Sequence, residues 1–147
     1  MRFWDSSAIV PLLVEEPASA RCRGLLRADS RIIVWLLTRT ECVSAIRRQV
    51  RDGELAEPDA AQAGQRLEKL ARRWSEIDAA LPVREAAERL LRVHALRAAD
   101  AMQLAAALVA ASGRPQGKPL VALDDGLATA AGREGFDVIK PDQHAGR

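Results

Sequence analysis

Cysteine is scarce in this sequence. Cys22 and Cys42 are the only two. They form no C-x-x-C, and no histidine stands at zinc-like spacing from them. A disulfide framework and a Cys/His zinc site are thereby excluded, and the two thiols read as small buried hydrophobes. Long apolar runs are missing as well: none approaches the ~18–20 residues that a membrane-spanning helix needs. No secretory leader is recognisable, because Asp5 and Glu15–Glu16 interrupt the stretch that should be apolar. The expectation is a cytoplasmic protein that does not engage a membrane. Repeats, low-complexity tracts and linkers are absent too. The 147 residues therefore read as one domain over residues 1–141, followed by a frayed tail at 142–147.

Lysine is nearly missing. Lys69, Lys118 and Lys140 are the only ones, so the 22 basic residues that face 20 acids, for a net charge of +2, are mostly arginine. Arginine suits bidentate contact with phosphate. An Ala- and Arg-rich, Lys-poor composition is equally what a GC-rich genome yields, so arginine content alone does not argue for nucleic acid.

What is present is an alternation of short apolar runs with amphipathic stretches. Strands are expected at Arg2–Trp4, Ile32–Trp35, Trp74–Ile77, Leu120–Leu123 and Phe136–Ile139. Between them the 3.6-residue period predicts helices. The first is capped by Ser6 or Ser7 and carries Ala8, Ile9, Leu12 and Leu13, and a second runs from Ala18 to Leu26. A third opens at Thr38 or Thr40 and ends near Gly53; Pro58 begins a fourth and Pro82 a fifth. Ala99–Ala111 is a helix apolar around most of its circumference, hence buried. The last, around Leu127 and Ala130, ends at Gly135. Strands that are continuous apolar runs and alternate with helices indicate a mostly parallel sheet covered on both faces.

Sites in such sheets gather beyond the carboxyl ends of the strands, where helix N-termini also point. Four acids fall there. Asp5 follows the first strand, Glu41 lies in the first turns after IIVW, Asp100 opens the apolar helix, and Asp124 follows VAL with Asp125 beside it. Each has a plain reading as a helix cap or as a partner of the helix dipole. Asp100 resists that reading most, because a carboxylate in an apolar helix needs a positive partner, either Arg97 or a cation. Four converging carboxylates repel one another and raise each other's pKa values unless a cation sits among them. Oxygen-only ligation points to Mg²⁺ or Mn²⁺ rather than zinc.

The stretches WDSSAIVPLL, TRTECVSAIRR, LRAADAMQLAAAL and LVALDDGLATAAGREGFDVI resemble, in order and spacing over essentially the whole chain, the PIN-domain ribonucleases. More specifically they resemble VapC-type toxins of bacterial type II toxin–antitoxin pairs. The resemblance implies a three-layer α/β/α sandwich with a mostly parallel central sheet, and Mg²⁺- or Mn²⁺-dependent endonuclease action on RNA. It maps the acidic quartet onto Asp5, Glu41, Asp100 and Asp124, with Asp5 and Asp100 the main metal ligands. Ser6 falls where the family often has a serine or threonine near the metal; a plain N-cap is its other reading. Arg97 could hold a flanking phosphate or simply pair with Asp100. A cognate antitoxin is implied, docking near Ile9, Leu12, Leu13, Leu25 and Leu26, and so is a homodimer.

One position departs from the pattern, and another is variable. Ala122 stands where the family often has Ser or Thr, which leaves Asp125 as a possible substitute for Asp124. Gln103, three residues after Asp100, occupies a variable position and is given no catalytic role. His94 reads as structural, His144 lies in the tail, and Trp4, Trp35 and Trp74 read as core. Two rivals remain: the same fold without catalysis, as an RNA-binding or protein-interaction module, and a phosphoryl-transfer domain. The second is disfavoured by Ser7, which stands where a dehalogenase-type phosphatase wants an acid, and by Lys118, which precedes its strand where a receiver wants a lysine after it.

Overall fold

The structure is a computed structural model that describes residues 1–142. Its five strands are β1 (Arg2–Trp4), β2 (Ile32–Trp35), β3 (Ser75–Ile77), β4 (Pro119–Val121) and β5 (Asp137–Ile139). All pair in parallel, in the order β3-β2-β1-β4-β5. The helices are α1 (Ser6–Leu13), α2 (Ser19–Ala28), α3 (Thr38–Arg51), α4 (Glu57–Ala71), α5 (Ala80–Val93), α6 (Ala98–Ala110) and α7 (Asp125–Glu134).

The three central strands β1, β2 and β4 are short and largely buried on both faces, so their alternate residues serve two cores, while the edge strands β3 and β5 are more exposed. Phe3, Trp35 and Leu120 pack with α5, α6 and α7. Trp4, Ile32, Val34 and Val121 pack with α1, α2, α3 and α4. This is the expected three-layer α/β/α sandwich with a parallel sheet. The three tryptophans are all buried, and Cys22 and Cys42 are free thiols inside the second core. Among the described residues no helix is long and apolar enough to cross a membrane.

Several boundaries differ from the sequence reading. Asp5, not a serine, is the N-cap of α1. Neither Thr38 nor Thr40 caps α3, which Leu37 precedes. Helix α5 begins two residues before Pro82, whose missing N–H costs nothing in a first turn. β4 stops at Val121, because the N–H of Leu123 is taken by the side chain of Ser7. β3 starts after Trp74, whose indole N–H donates to Glu76 at 3.0 Å. His94 caps α5 rather than lying inside it, and its Nε2 is 2.7 Å from Glu134. The frayed tail and His144 fall almost wholly outside the described residues; Asp142 lies in a turn.

The strand order fixes where a ligand can enter. The chain moves outward from β1 through β2 to β3, then returns to place β4 on the other side of β1. The connections after β1 and β4 therefore diverge, and a crevice opens between them at the carboxyl edge of the sheet.

Candidate active site

Asp5 leaves the end of β1 at that crevice. Its side chain is 3% exposed, and both hydrogen bonds it accepts, from the backbone N–H and the hydroxyl of Ser7, fall on Oδ2. Glu41 projects from the first turn of α3. Its Oε2 accepts from Ser6 Oγ at 2.6 Å and from Gln103 Nε2 at 3.1 Å. Asp100, in the first turn of α6, has Oδ2 at 3.5 Å from Arg97 Nε. Asp124 caps α7, with Oδ1 accepting from Leu127 N at 2.8 Å. Among the described residues each of the four carboxylates thus commits one oxygen to the protein and leaves the other without a protein partner.

All four line one cleft of about 510 Å³, together with Ser6, Ser7, Ser44, Arg48, Gln49, Glu16 and Arg97. Charge there is poorly compensated. Burial, and then repulsion from Glu41 and Asp100, pushes the Asp5 carboxyl up to about 6 against the opposing hydrogen bonds from Ser7. Burial raises Asp100 as well, followed by the nearby charge of Asp124, while Arg97 pulls the other way. That arginine is 85% exposed, so water screens its pairing and it neutralises little.

The sequence reading has the carboxylates converging, and here the structure corrects it in degree. The four share a cleft, yet no three His, Cys, Asp or Glu side chains among the described residues form a ready-made ion-binding group. Like charges with nothing positive between them have no reason to close to ligand distance. Asp124 lines the cleft and Asp125 does not. Asp125 is 87% exposed, pairs with Lys140 and lies outside this cleft. Ala122 offers no hydroxyl, but the Asp124 backbone N–H donates to Ser7 Oγ at 3.3 Å, and the Asp124 side chain is fixed by the cap bond it accepts from Leu127 N. Of the expected docking residues, Ile9 and Leu13 are fully buried and offer no surface; Leu12, Leu25 and Leu26 are half-buried.

Residues 2–132 match the family model of the PIN domain. The chain belongs to the PIN-domain family. Ribonuclease VapC45 of Mycobacterium tuberculosis (strain CDC 1551 / Oshkosh) is 32% identical over 106 residues, 72% of this chain and 74% of the relative. Ribonuclease VapC49 of Mycobacterium tuberculosis (strain ATCC 25618 / H37Rv) matches to the same extent. Two solved structures share the PIN fold. PAE2754 from Pyrobaculum aerophilum has a TM-score of 0.65 at 19% identity, covering 96% of this chain and 89% of that one. FitAB bound to an IR36 DNA fragment has a TM-score of 0.65 at 18% identity, covering 99% of each. This PIN domain is thus of the VapC kind.

Three site residues of this PIN domain escaped the sequence reading. Ser7 ties Asp5 to the backbone before Asp124. Gln103 and Thr38, 1% and 0% exposed, bond each other at 3.1 Å beneath Glu41. Gln103 did carry a signal: it lies one turn from Asp100 on an otherwise apolar helix, which is the anomaly that drew attention to Asp100. Ser7 carried none, because its partners lie more than a hundred residues away.

Proposed function

We propose that this PIN domain is an endoribonuclease that hydrolyses RNA phosphodiesters with the help of Mg²⁺ or Mn²⁺, and that it is the toxin of a toxin–antitoxin pair. One observation carries the reading. Four acids from four separate elements line one cleft at the β1/β4 switch point, each held by one oxygen and with no protein partner on the other among the described residues.

The donor set fits a hard divalent ion. Among the described residues it consists of carboxylate oxygens, with no imidazole. Cys42, next to Glu41 in sequence, is fully buried and does not line the cleft, so no thiol joins the donor set. Asp5 and Asp100 would hold the ion, with Glu41 and Asp124 completing the site. Such an ion supplies a water that is nucleophilic at neutral pH and offsets charge on the phosphate. The chain's own part is positional. Ser6 and Gln103 aim Glu41; Ser7 fixes Asp5 against the β4–α7 turn; Arg97, exposed beside Asp100, offers a guanidinium to a flanking phosphate. Hydrolysis of the P–O3′ bond leaves a 3′-hydroxyl and a 5′-phosphate.

Support for an RNA substrate and an antitoxin comes from relatives that are VapC ribonucleases. A homodimer, expected from the resemblance, remains part of the proposal, as does cytoplasmic action. One observation favours a second reading, a PIN-fold module that binds RNA or protein without cutting: the acids as placed form no ready ion-binding group. Metal titration and cleavage separate the two. A nuclease binds Mn²⁺, loses it on Asp100→Ala, and cleaves single-stranded RNA in a way that Asp5→Asn abolishes. Undiminished cleavage by folded Asp5→Asn overturns the proposal, and a chain that binds RNA but no Mn²⁺ is the non-catalytic module.

A further inference from the structure

The cleft extends beyond the acids. On α3 it follows one helix face from Glu41 through Ser44 and Ala45 to Arg48 and Gln49, with Glu16 closing the far end. Arg48 stands seven residues, two turns and about 10 Å of helix rise, from Glu41. The acids repel a polyanion, so a substrate strand needs a compensating cation beside them, close enough that the same strand reaches both.

Two of the four arginines of α3 are already committed. Arg39 pairs with Glu68, and Arg47 pairs with Glu57 at 2.6 Å. Arg48 lines the cleft and forms no ion pair among the described residues. Glu16, the one carboxylate at that end, is engaged by the Gln49 amide at 3.1 Å instead. Arg97, at the acidic end, is shared with Asp100. The two arginines thus bracket the acids, one partly neutralised and one uncommitted, with the Ser44 hydroxyl one turn before the second.

We infer that Arg48, with Ser44, is a phosphate subsite for an RNA strand whose adjoining phosphodiester lies over Asp5 and Asp100. The inference rests on the ribonuclease reading and adds to it a direction of travel, along α3 towards Glu16. A guanidinium reads phosphate without reading base, so this subsite contributes affinity and register, not sequence preference.

Arg47 is the internal control: the same charge, adjacent in sequence, already paired and outside the cleft. Binding of a single-stranded RNA oligonucleotide is measured by fluorescence anisotropy across a salt series, in the cleavage-blocked Asp5→Asn chain. Arg48→Ala is expected to weaken binding about tenfold at low salt and to flatten the slope of log K against log salt by about 0.7. Arg47→Ala leaves that slope unchanged, and in the active chain Arg48→Ala raises KM more than it lowers kcat. Equal slopes for the two variants overturn the inference, because they make Arg48 part of a diffuse field. So does a loss of thermal stability in Arg48→Ala with an unchanged slope, which makes it only a partner of the α3 C-terminus. An unchanged RNA slope with lost binding to a purified antitoxin assigns the subsite to protein. If Asp5→Asn binds no RNA at all, the ribonuclease reading falls together with the inference; if it binds RNA with equal slopes, the inference falls alone.

Discussion

Ser7 Oγ donates to Asp5 Oδ2 while accepting the backbone N–H of Leu123 at 2.9 Å and that of Asp124 at 3.3 Å. One hydroxyl therefore joins the ends of β1 and β4, the two strands between which the crevice opens. Ser7→Ala leaves two backbone donors and a buried carboxylate short of a partner. The expected cost is about 1–2 kcal/mol of stability, with cleavage reduced at saturating metal. Ser6→Ala, which removes a hydroxyl hydrogen-bonded to Glu41, should leave stability within about 0.5 kcal/mol. Urea denaturation of the two variants checks the contrast.

The ionised Asp5 carboxylate costs the fold stability. Burial, helped by Glu41 and Asp100, raises its carboxyl to about 6 from an ordinary value of 3.8. A raised acid pKa means that the folded state binds this proton more tightly than the unfolded chain. Its ionised form therefore destabilises fully above about pH 6, and that cost disappears below pH 4. Asp5→Asn should make the metal-free chain more stable at pH 7.5, by at most about 3 kcal/mol. The gain should vanish near pH 4, and cleavage should be lost throughout. Equal stability of the two chains at pH 7.5 without metal counts against the electrostatic account.

Asp124 and Asp125 are neighbours with separate surroundings. Asparagine caps a helix about as well as aspartate, so Asp124→Asn should keep α7 and the melting temperature while losing most cleavage. Asp125→Asn removes an exposed pair with Lys140, worth under about 1 kcal/mol, and should leave cleavage near wild type. Parallel cleavage assays at fixed Mn²⁺ decide it; the reverse order of effects reassigns the fourth acid.

Glu134 offers a pH test remote from the cleft. Arg89 donates to it at 2.8 Å and 3.2 Å, and His94 Nε2 lies at 2.7 Å. Arg89, then His94, hold its carboxyl below the ordinary value of 4.5 despite some burial. A lowered acid pKa gives stability that is present above about pH 4.5 and is lost as the pH falls through the folded value. Glu134→Gln should thus be less stable than wild type by about 1 kcal/mol at pH 6, and the gap should narrow as the pH falls from 4.5 through the folded value. Thermal melts across that range measure it.

How much of this was legible is clearest at particular residues. β1, β2 and the span of α3 follow from local pattern, since a continuous apolar run or a 3.6-residue stripe needs no distant partner to be recognised. The gathering of Asp5, Glu41, Asp100 and Asp124 at one edge follows from parallel topology alone. The end of β4 did not follow, because it is set by a serine 116 positions away taking the N–H of Leu123. The engagement of the arginines was equally hidden: Arg47 and Arg48 are adjacent letters, and only packing shows that one is paired with Glu57 and the other faces the cleft. Long-range polar pairing leaves no period in a sequence.

Gln103 provides the last test, because a buried amide on an apolar helix demands a reason. Its Nε2 donates to both Thr38 Oγ1 and Glu41 Oε2, each at 3.1 Å. If its work is to aim Glu41, its effect must pass through Glu41. Partners of this kind behind metal-binding carboxylates are worth about 10–100-fold in affinity. Gln103→Leu should therefore weaken Mn²⁺ binding by about tenfold, measured calorimetrically on the folded chain. The same change in a Glu41→Ala background should add almost nothing, since groups that act through each other are non-additive. A merely structural glutamine predicts the opposite, equal losses in both backgrounds with lowered melting temperatures. A metal-independent observation supports the same choice. The Gln103 side-chain amide should exchange slowly with solvent in the metal-free chain, and Glu41→Ala should speed that exchange, because its Nε2 then keeps only the Thr38 acceptor.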